Sequence, residues 1–166
     1  SMAFFRKIFD ERKGSFPDIP ASYNYVDAQA LDLIRRPWDF DVLVMENMFG
    51  DILSDLAGGL VGGMGMASCA EVGDDHALFQ PAHGSAPDIM GQDKANPLAA
   101  ILSGALMLDY LADRMGGHDG LADAATMIED AVQRGFEANR LRPMEFGGDM
   151  GTEAVTREVI ALIEGN

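Results

Sequence analysis

Cysteine is almost missing from this sequence: Cys69 is the only one in 166 residues. No disulfide can form within the chain, which fits a reducing cytoplasm. Basic side chains are also scarce, 12 against 27 acidic ones, for a net charge of −15. A field of that sign repels phosphate backbones, so nucleic acid is not an expected partner. It favours divalent cations beside paired carboxylates, and it equally serves solubility alone. No apolar run reaches the ~20 residues a membrane span needs. The longest, residues 97–108, falls short, so no membrane partner is expected. The segment from Ser1 to Lys7 lacks the apolar stretch of a signal peptide. Neither GxGxxG nor a P-loop occurs. Gly62-Gly63-Met64-Gly65 satisfies neither pattern and reads as a flexible turn where two lobes meet. Internal repeats and low-complexity linkers are absent too.

What is present suits a packed protein. The apolar fraction is 48%, ample for a core, and the length allows one domain, or one plus part of another. The 11 methionines read as soft core filling. Phe4, Phe5, Ile8 and Phe9 recur at helical spacing, which predicts an amphipathic helix ending near Gly14. That helix begins with no lead-in, so further sequence is expected upstream. Residues 23–26 read as a short strand and residues 28–34 as a helix stopped at Pro37. Val42-Leu43-Val44-Met45 reads as a strand buried on both faces, completing a βαβ pattern. Helices are predicted over residues 51–60, 121–136 and from Thr152 onward, with strands at 67–72 and 77–79. Asn96 is placed to cap a central helix with Pro97 at its first position, and Thr152 to cap the last helix.

Two segments carry chemistry. The first is Glu46-Asn47-Met48-Phe49-Gly50-Asp51-Ile52-Leu53-Ser54-Asp55. Asp51 and Asp55 are four apart on a predicted helix and share a face. Carboxylates so placed repel one another unless compensated, and a hard cation such as Mg²⁺ or Mn²⁺ compensates them with its preference for oxygen ligands. The plain alternative is that Asp51 is a first-turn acid favoured by the helix dipole and Asp55 is solvated. The second segment is Pro81-Ala82-His83-Gly84-Ser85-Ala86-Pro87-Asp88-Ile89, closing with Asn96-Pro97. Its prolines and glycine forbid regular structure. His83 is suited to an adenine, Gly84 to close backbone approach, and Asp88 to both hydroxyls of a ribose. Asp88 would also repel a 2′-phosphate, which favours NAD over NADP. The plain alternative is an ordinary surface loop.

These segments, with Tyr25-Val26-Asp27-Ala28 and Gly151-Thr152-Glu153, resemble one family over essentially the whole chain. It is the β-decarboxylating dehydrogenases, which include isopropylmalate, isocitrate, homoisocitrate and tartrate dehydrogenases, and the isopropylmalate branch is nearest. The resemblance implies an α/β isopropylmalate dehydrogenase-like fold, of which this chain is the C-terminal portion, and not a Rossmann fold. It implies that residues 1–60 belong to a central dimer-forming domain. Residues 61–166 would be the C-terminal part of the nucleotide-binding domain. The implied reaction oxidises a 2-hydroxy acid with NAD and Mg²⁺ or Mn²⁺, then releases the β-carboxylate as CO₂. By the same resemblance Asp51 and Asp55 ligate the metal from one subunit of a homodimer and Asp27 from the other. His83, Gly84, Ala86, Asp88, Ile89 and Asn96 fall on nucleotide-contacting positions.

There are departures from the family. Gln80 stands where glutamate is common, near the nicotinamide, and Ala82 and Met90 are milder changes. The family's substrate-gripping arginines, catalytic tyrosine and catalytic lysine have no counterpart here, because Lys7 and Lys13 do not match the lysine's motif. No complete catalytic group is therefore expected, and the chain alone is expected to be inactive. The competing reading is a non-catalytic assembly or regulatory module. Self-association, with residues 97–111 largely buried, is expected in either case.

Overall fold

The structure is a computed structural model, and it describes residues 2–165. The chain divides into two units, Ser1–Phe49 and Gly50–Asn166. The first holds helices α1 (Met2–Lys13) and α2 (Val26–Arg35), a 3₁₀ turn at Pro37–Asp39, and the start of α3 (Asn47–Leu60). The second continues with strands β1 (Ser68–Val72) and β2 (Ala77–Pro81), then helices α4 (Leu98–Arg114), α5 (Asp119–Glu137) and α6 (Thr152–Ile163).

The core lies in the second unit. Leu98, Ala131, Val132, Leu141, Val155, Val159 and Leu162 pack together, which stacks α4 on α5 and α5 on α6. Apart from Leu141, which follows α5, these residues belong to the apolar stripes of those helices. Gly135 lets α5 approach closely: a Cβ there would sit 2.5 Å from Leu141 Cδ1 and 2.9 Å from Leu162 Cδ1. The α4–α5 turn uses Gly116 and Gly117 at φ of 79° and 82°, with Gly117 N–H donating to Ala112 O (2.9 Å). Only glycine takes up such backbone at no steric cost. α4 also covers the antiparallel hairpin of β1 and β2, whose register pairs Ala70 with Phe79. It is central, as its pattern predicts. Its burial is one-sided, however, because Met107 and Leu111 remain exposed.

Three expectations need correction. Residues 23–25 and 42–45 do not form strands, and Val26 opens α2 instead. Val42 is 80% exposed, not buried on both faces. A strand exists only through its ladder. Among the described residues the only sheet is β1 with β2, so these apolar runs find no partner and the βαβ unit does not form. The glycine turn after α3 is held rather than loose: Gly65 N–H donates to Glu145 Oε1 (3.1 Å) and Ala99 N–H donates to Gly65 O (2.8 Å). Thr152 is the first residue of α6 rather than its cap. Asn96 does cap α4, its Oδ1 accepting from Leu98 N–H (3.2 Å), although Pro97 precedes the first helical residue. Among the described residues no helix is long and apolar enough to cross a membrane.

Candidate metal and nucleotide sites

α3 places Asp51 and Asp55 one turn apart, and both are exposed. The helix starts earlier than its periodicity suggests because Glu46 caps it. Its carboxylate accepts from Met48 N–H (3.3 Å) and Phe49 N–H (3.2 Å), which satisfies two of the first-turn donors. Asp51 therefore lies beyond the first turn of the helix, so the alternative that it is a first-turn acid favoured by the dipole does not hold, whereas Asp55 is exposed as its alternative has it. Asp27 lies in the first turn of α2, also exposed. Among the described residues no cluster of three or more His, Cys, Asp or Glu side chains converges on a metal position. The donor set at Asp51 and Asp55 is all oxygen. That suits an ion such as Mg²⁺, which keeps several waters and takes one or two carboxylates from protein.

Pro81, expected to be irregular, closes β2 as the partner of Ser68; the rest of the second segment belongs to an exposed loop from residue 82 to residue 95. His83 Nδ1 lies 2.9 Å from Gly84 O, a contact that requires the proton on Nδ1 while the ring is neutral. That tautomer leaves Nε2 as an acceptor. Gly84 has nothing within 4 Å of the position a Cβ would take, and its φ is not positive. Nothing in this chain's own packing demands a glycine there. Ala86, by contrast, is held at φ 42° and starts the 3₁₀ turn Pro87–Ile89. That turn presents the exposed Asp88 carboxylate beside half-buried Ile89.

The second half of the loop is anchored. Gln92 Nε2 donates to Asp88 O (2.7 Å), and Lys94 Nζ donates to Gln92 Oε1 (2.8 Å). Asp93 Oδ1 accepts from Glu153 N–H (2.9 Å), and Asp93 O accepts from Thr152 N–H (3.3 Å). The Thr152 hydroxyl donates to Ala95 O (2.5 Å). A Cβ on Gly151 would collide with the Asp93 carbonyl and carboxylate. Asn96 is only 9% exposed, and its Nδ2 donates to Glu145 Oε2 (2.9 Å). Its side chain is turned inward, which leaves any nucleotide contact to its main chain. Gln80 donates through Nε2 to Glu71 Oε1 (2.8 Å) across the hairpin. A glutamate at position 80 would set two carboxylates together. Asp93, Glu145 and the Thr152 hydroxyl escape sequence reading because their partners lie far along the chain; Gln92 bonds locally, to Asp88 and Lys94, in a loop whose pattern does not single it out.

A family model described as isocitrate/isopropylmalate dehydrogenase matches residues 1–163. The chain belongs to the isocitrate/isopropylmalate dehydrogenase family. It is 42% identical over 162 residues to a 3-isopropylmalate dehydrogenase of Aquifex aeolicus, covering 98% of this chain and 43% of that protein. An isocitrate/homoisocitrate dehydrogenase of Thermus thermophilus is 47% identical over 149 residues, covering 90% and 42%. Among solved structures, isocitrate dehydrogenase from Methylococcus capsulatus superposes with a TM-score of 0.81 at 40% identity, covering 97% of this chain and 46% of that one. The fold is thus a portion of the isocitrate/isopropylmalate dehydrogenase α/β fold, as the motifs imply. The chain spans less than half the length of these relatives.

Proposed function

We propose that this chain supplies the metal carboxylates and the NAD loop of a β-decarboxylating dehydrogenase. The substrate is a 2-hydroxy acid with a neighbouring carboxylate, of the isopropylmalate, isocitrate, malate or tartrate class, and the compartment is the cytoplasm. What supports this reading is the family match over residues 1–163 together with the exposure of Asp51, Asp55 and Asp88 on α3 and on the loop. Gly84 leaves room for a ligand to approach the backbone.

Asp51 and Asp55 hold Mg²⁺ or Mn²⁺ from one face of α3, and Asp27 of a second copy completes the set. The metal, when bound, serves as a Lewis acid toward the substrate oxygens. On the other side, Asp88 accepts hydrogen bonds from both ribose hydroxyls and disfavours a 2′-phosphate, hence NAD rather than NADP. His83 offers Nε2 to the amino group of adenine. Gly84 and Ala86 keep the loop slim enough for the ring to lie against backbone, and Ile89 gives it an apolar edge. Asn96 contributes main chain only. Residues 1–60 serve a dimer-forming domain and residues 61–166 the nucleotide-binding domain. The exposed apolar face of the first unit supports the homodimer.

Calorimetric titration of the 166-residue chain tests this reading. Mn²⁺ and NAD are each expected to bind, Asp51→Asn with Asp55→Asn to abolish the Mn²⁺ heat, and Asp88→Ala to abolish the NAD heat. Silence toward both ligands overturns the reading in favour of an assembly module. No NADH is expected from isopropylmalate, isocitrate, malate or tartrate with this chain alone, because it lacks its own acid, base and substrate-gripping groups. Turnover would refute that part.

A further inference from the structure

The nucleotide loop is unevenly tied. From Ala82 to Ala86 it is exposed; Ala82 N–H donates to Ala67 O (2.9 Å) at its start, and the His83 ring contacts only the neighbouring Gly84 carbonyl. Further on, Asp93 and Ala95 are bonded to the start of α6, and Asn96 is bonded to Glu145. Gln92 grips the Asp88 carbonyl. Its neighbour Asp93 caps α6 across 60 residues of sequence. The Thr152 hydroxyl then holds Ala95 across 57 residues. Asp93 itself stands at φ 52°, in the left-handed region that aspartate and asparagine tolerate better than most residues. Helix caps are usually supplied by the residue just before the helix. Here that residue is Gly151, which has no side chain, and the cap arrives from the loop instead.

We propose that Asp93, Gln92 and the Thr152 hydroxyl form a clasp that positions Asp88 for the ribose without touching the nucleotide. These are positioning residues. Their action runs from the N-terminus of α6 through Asp93 and Gln92 to the backbone that carries the Asp88 carboxylate. A group that must meet two hydroxyls at once gains from being held in place before the ligand arrives. The clasp supplies that holding from the far end of the loop and leaves the His83 end open for entry. This inference rests on the nucleotide reading of the loop, but its mechanical content can be measured apart from it.

The test compares Asp93→Ala, Gln92→Ala and Thr152→Val with the conservative Asp93→Asn and Thr152→Ser in the 166-residue chain. Asp93→Asn keeps the Oδ1 acceptor and tolerates the same φ, and Thr152→Ser keeps the hydroxyl. NAD is titrated below each variant's unfolding transition, and amide hydrogen exchange is followed over residues 82–95 without ligand. The first three variants are expected to weaken NAD binding roughly tenfold, the scale that outer partners carry at metal sites. They are also expected to speed exchange in the loop while the core amides of α4 and α5 stay protected. The conservative pair is expected to restore both readouts. Unchanged affinity in the folded Asp93→Ala and Thr152→Val variants overturns the clasp. If the unsubstituted chain binds no NAD, the nucleotide reading fails and exchange alone decides. Faster loop exchange then supports the clasp, and unchanged exchange overturns it.

Discussion

The two units contain helices of similar quality and differ in what those helices bury. In the second unit α4, α5 and α6 close over Leu98, Val155 and Val159, which are essentially inaccessible. In the first unit α1 buries none of its residues, and α2 buries only Gln29 and Leu33. Trp38 is 77% exposed. Phe4, Phe5, Ile8, Phe9, Phe16 and Ile19 line an open apolar hollow of about 770 Å³. Polar bonds at the surface organise this unit: Asn24 donates to Gln29 and Asp32, Arg36 pairs with Asp32 (3.0 Å), and the Tyr23 hydroxyl donates to Asp10. Such bonds contribute little individually. Among the described residues the one buried side-chain atom without a hydrogen-bond partner, Gln29 Nε2, also belongs to this unit. Local sequence is enough to make a helix, but a core needs surfaces that close on one another.

The contrast can be broken most directly by truncation. Leu98→Ala is expected to cost about 2–5 kcal/mol, because Leu98 is fully buried in the core and leaves a cavity. Trp38→Ala should stay within about 0.5 kcal/mol despite removing a larger side chain. Urea unfolding of both variants checks this, and equal losses would mean the first unit has its own core. Overfilling comes next. Gly135→Ala is expected to cost about 1–3 kcal/mol, since the new methyl meets Leu141 and Leu162. The same unfolding experiment reads it, and a neutral result would show the α5–α6 contact to be loose.

The smallest effect belongs to the first unit. The hydrogen bond from Arg36 holds the Asp32 carboxyl below its ordinary range against the opposing effect of burial, with Asn24 and the Arg36 charge adding to it. A depressed carboxylate stabilises the folded form above its unfolded pKa and loses that contribution as pH falls through the folded one. Helicity in α2 should therefore decline on acidification below the ordinary aspartate range. Arg36→Gln should move the Asp32 midpoint upward in an NMR titration. A midpoint unmoved by that substitution would remove Arg36 as the cause.

Much of the second unit was legible in its sequence. The stripes of α4, α5 and α6 and the alternation of the hairpin are local patterns, and each pattern finds its partner within the unit. Val42-Leu43-Val44-Met45 misled for the complementary reason. Its composition fits a central strand, but pairing is a property of two segments, and its pattern cannot reveal whether the second is within reach. At the candidate sites, Asp51, Asp55, His83 and Asp88 can be singled out from sequence as candidates because they lie in compact motifs. Asp93 and Glu145 cannot, since each acts on backbone or amide groups 49 or more residues away. Gly151 leaves room for the Asp93 carboxylate, a fit that its place before the helix does not reveal.

The tight glycine turn between α4 and α5 has a consequence for folding kinetics. The two helices it joins make their contacts over a short stretch of chain, so their hairpin carries little loop-closure cost and can form early. α6 docks on α5 across residues 138–151, but its links to Asp93 and Ala95 close longer loops, of 60 and 57 residues, and form later. Substitutions between α4 and α5 should therefore slow refolding, whereas those at Asp93 or Thr152 should chiefly hasten unfolding.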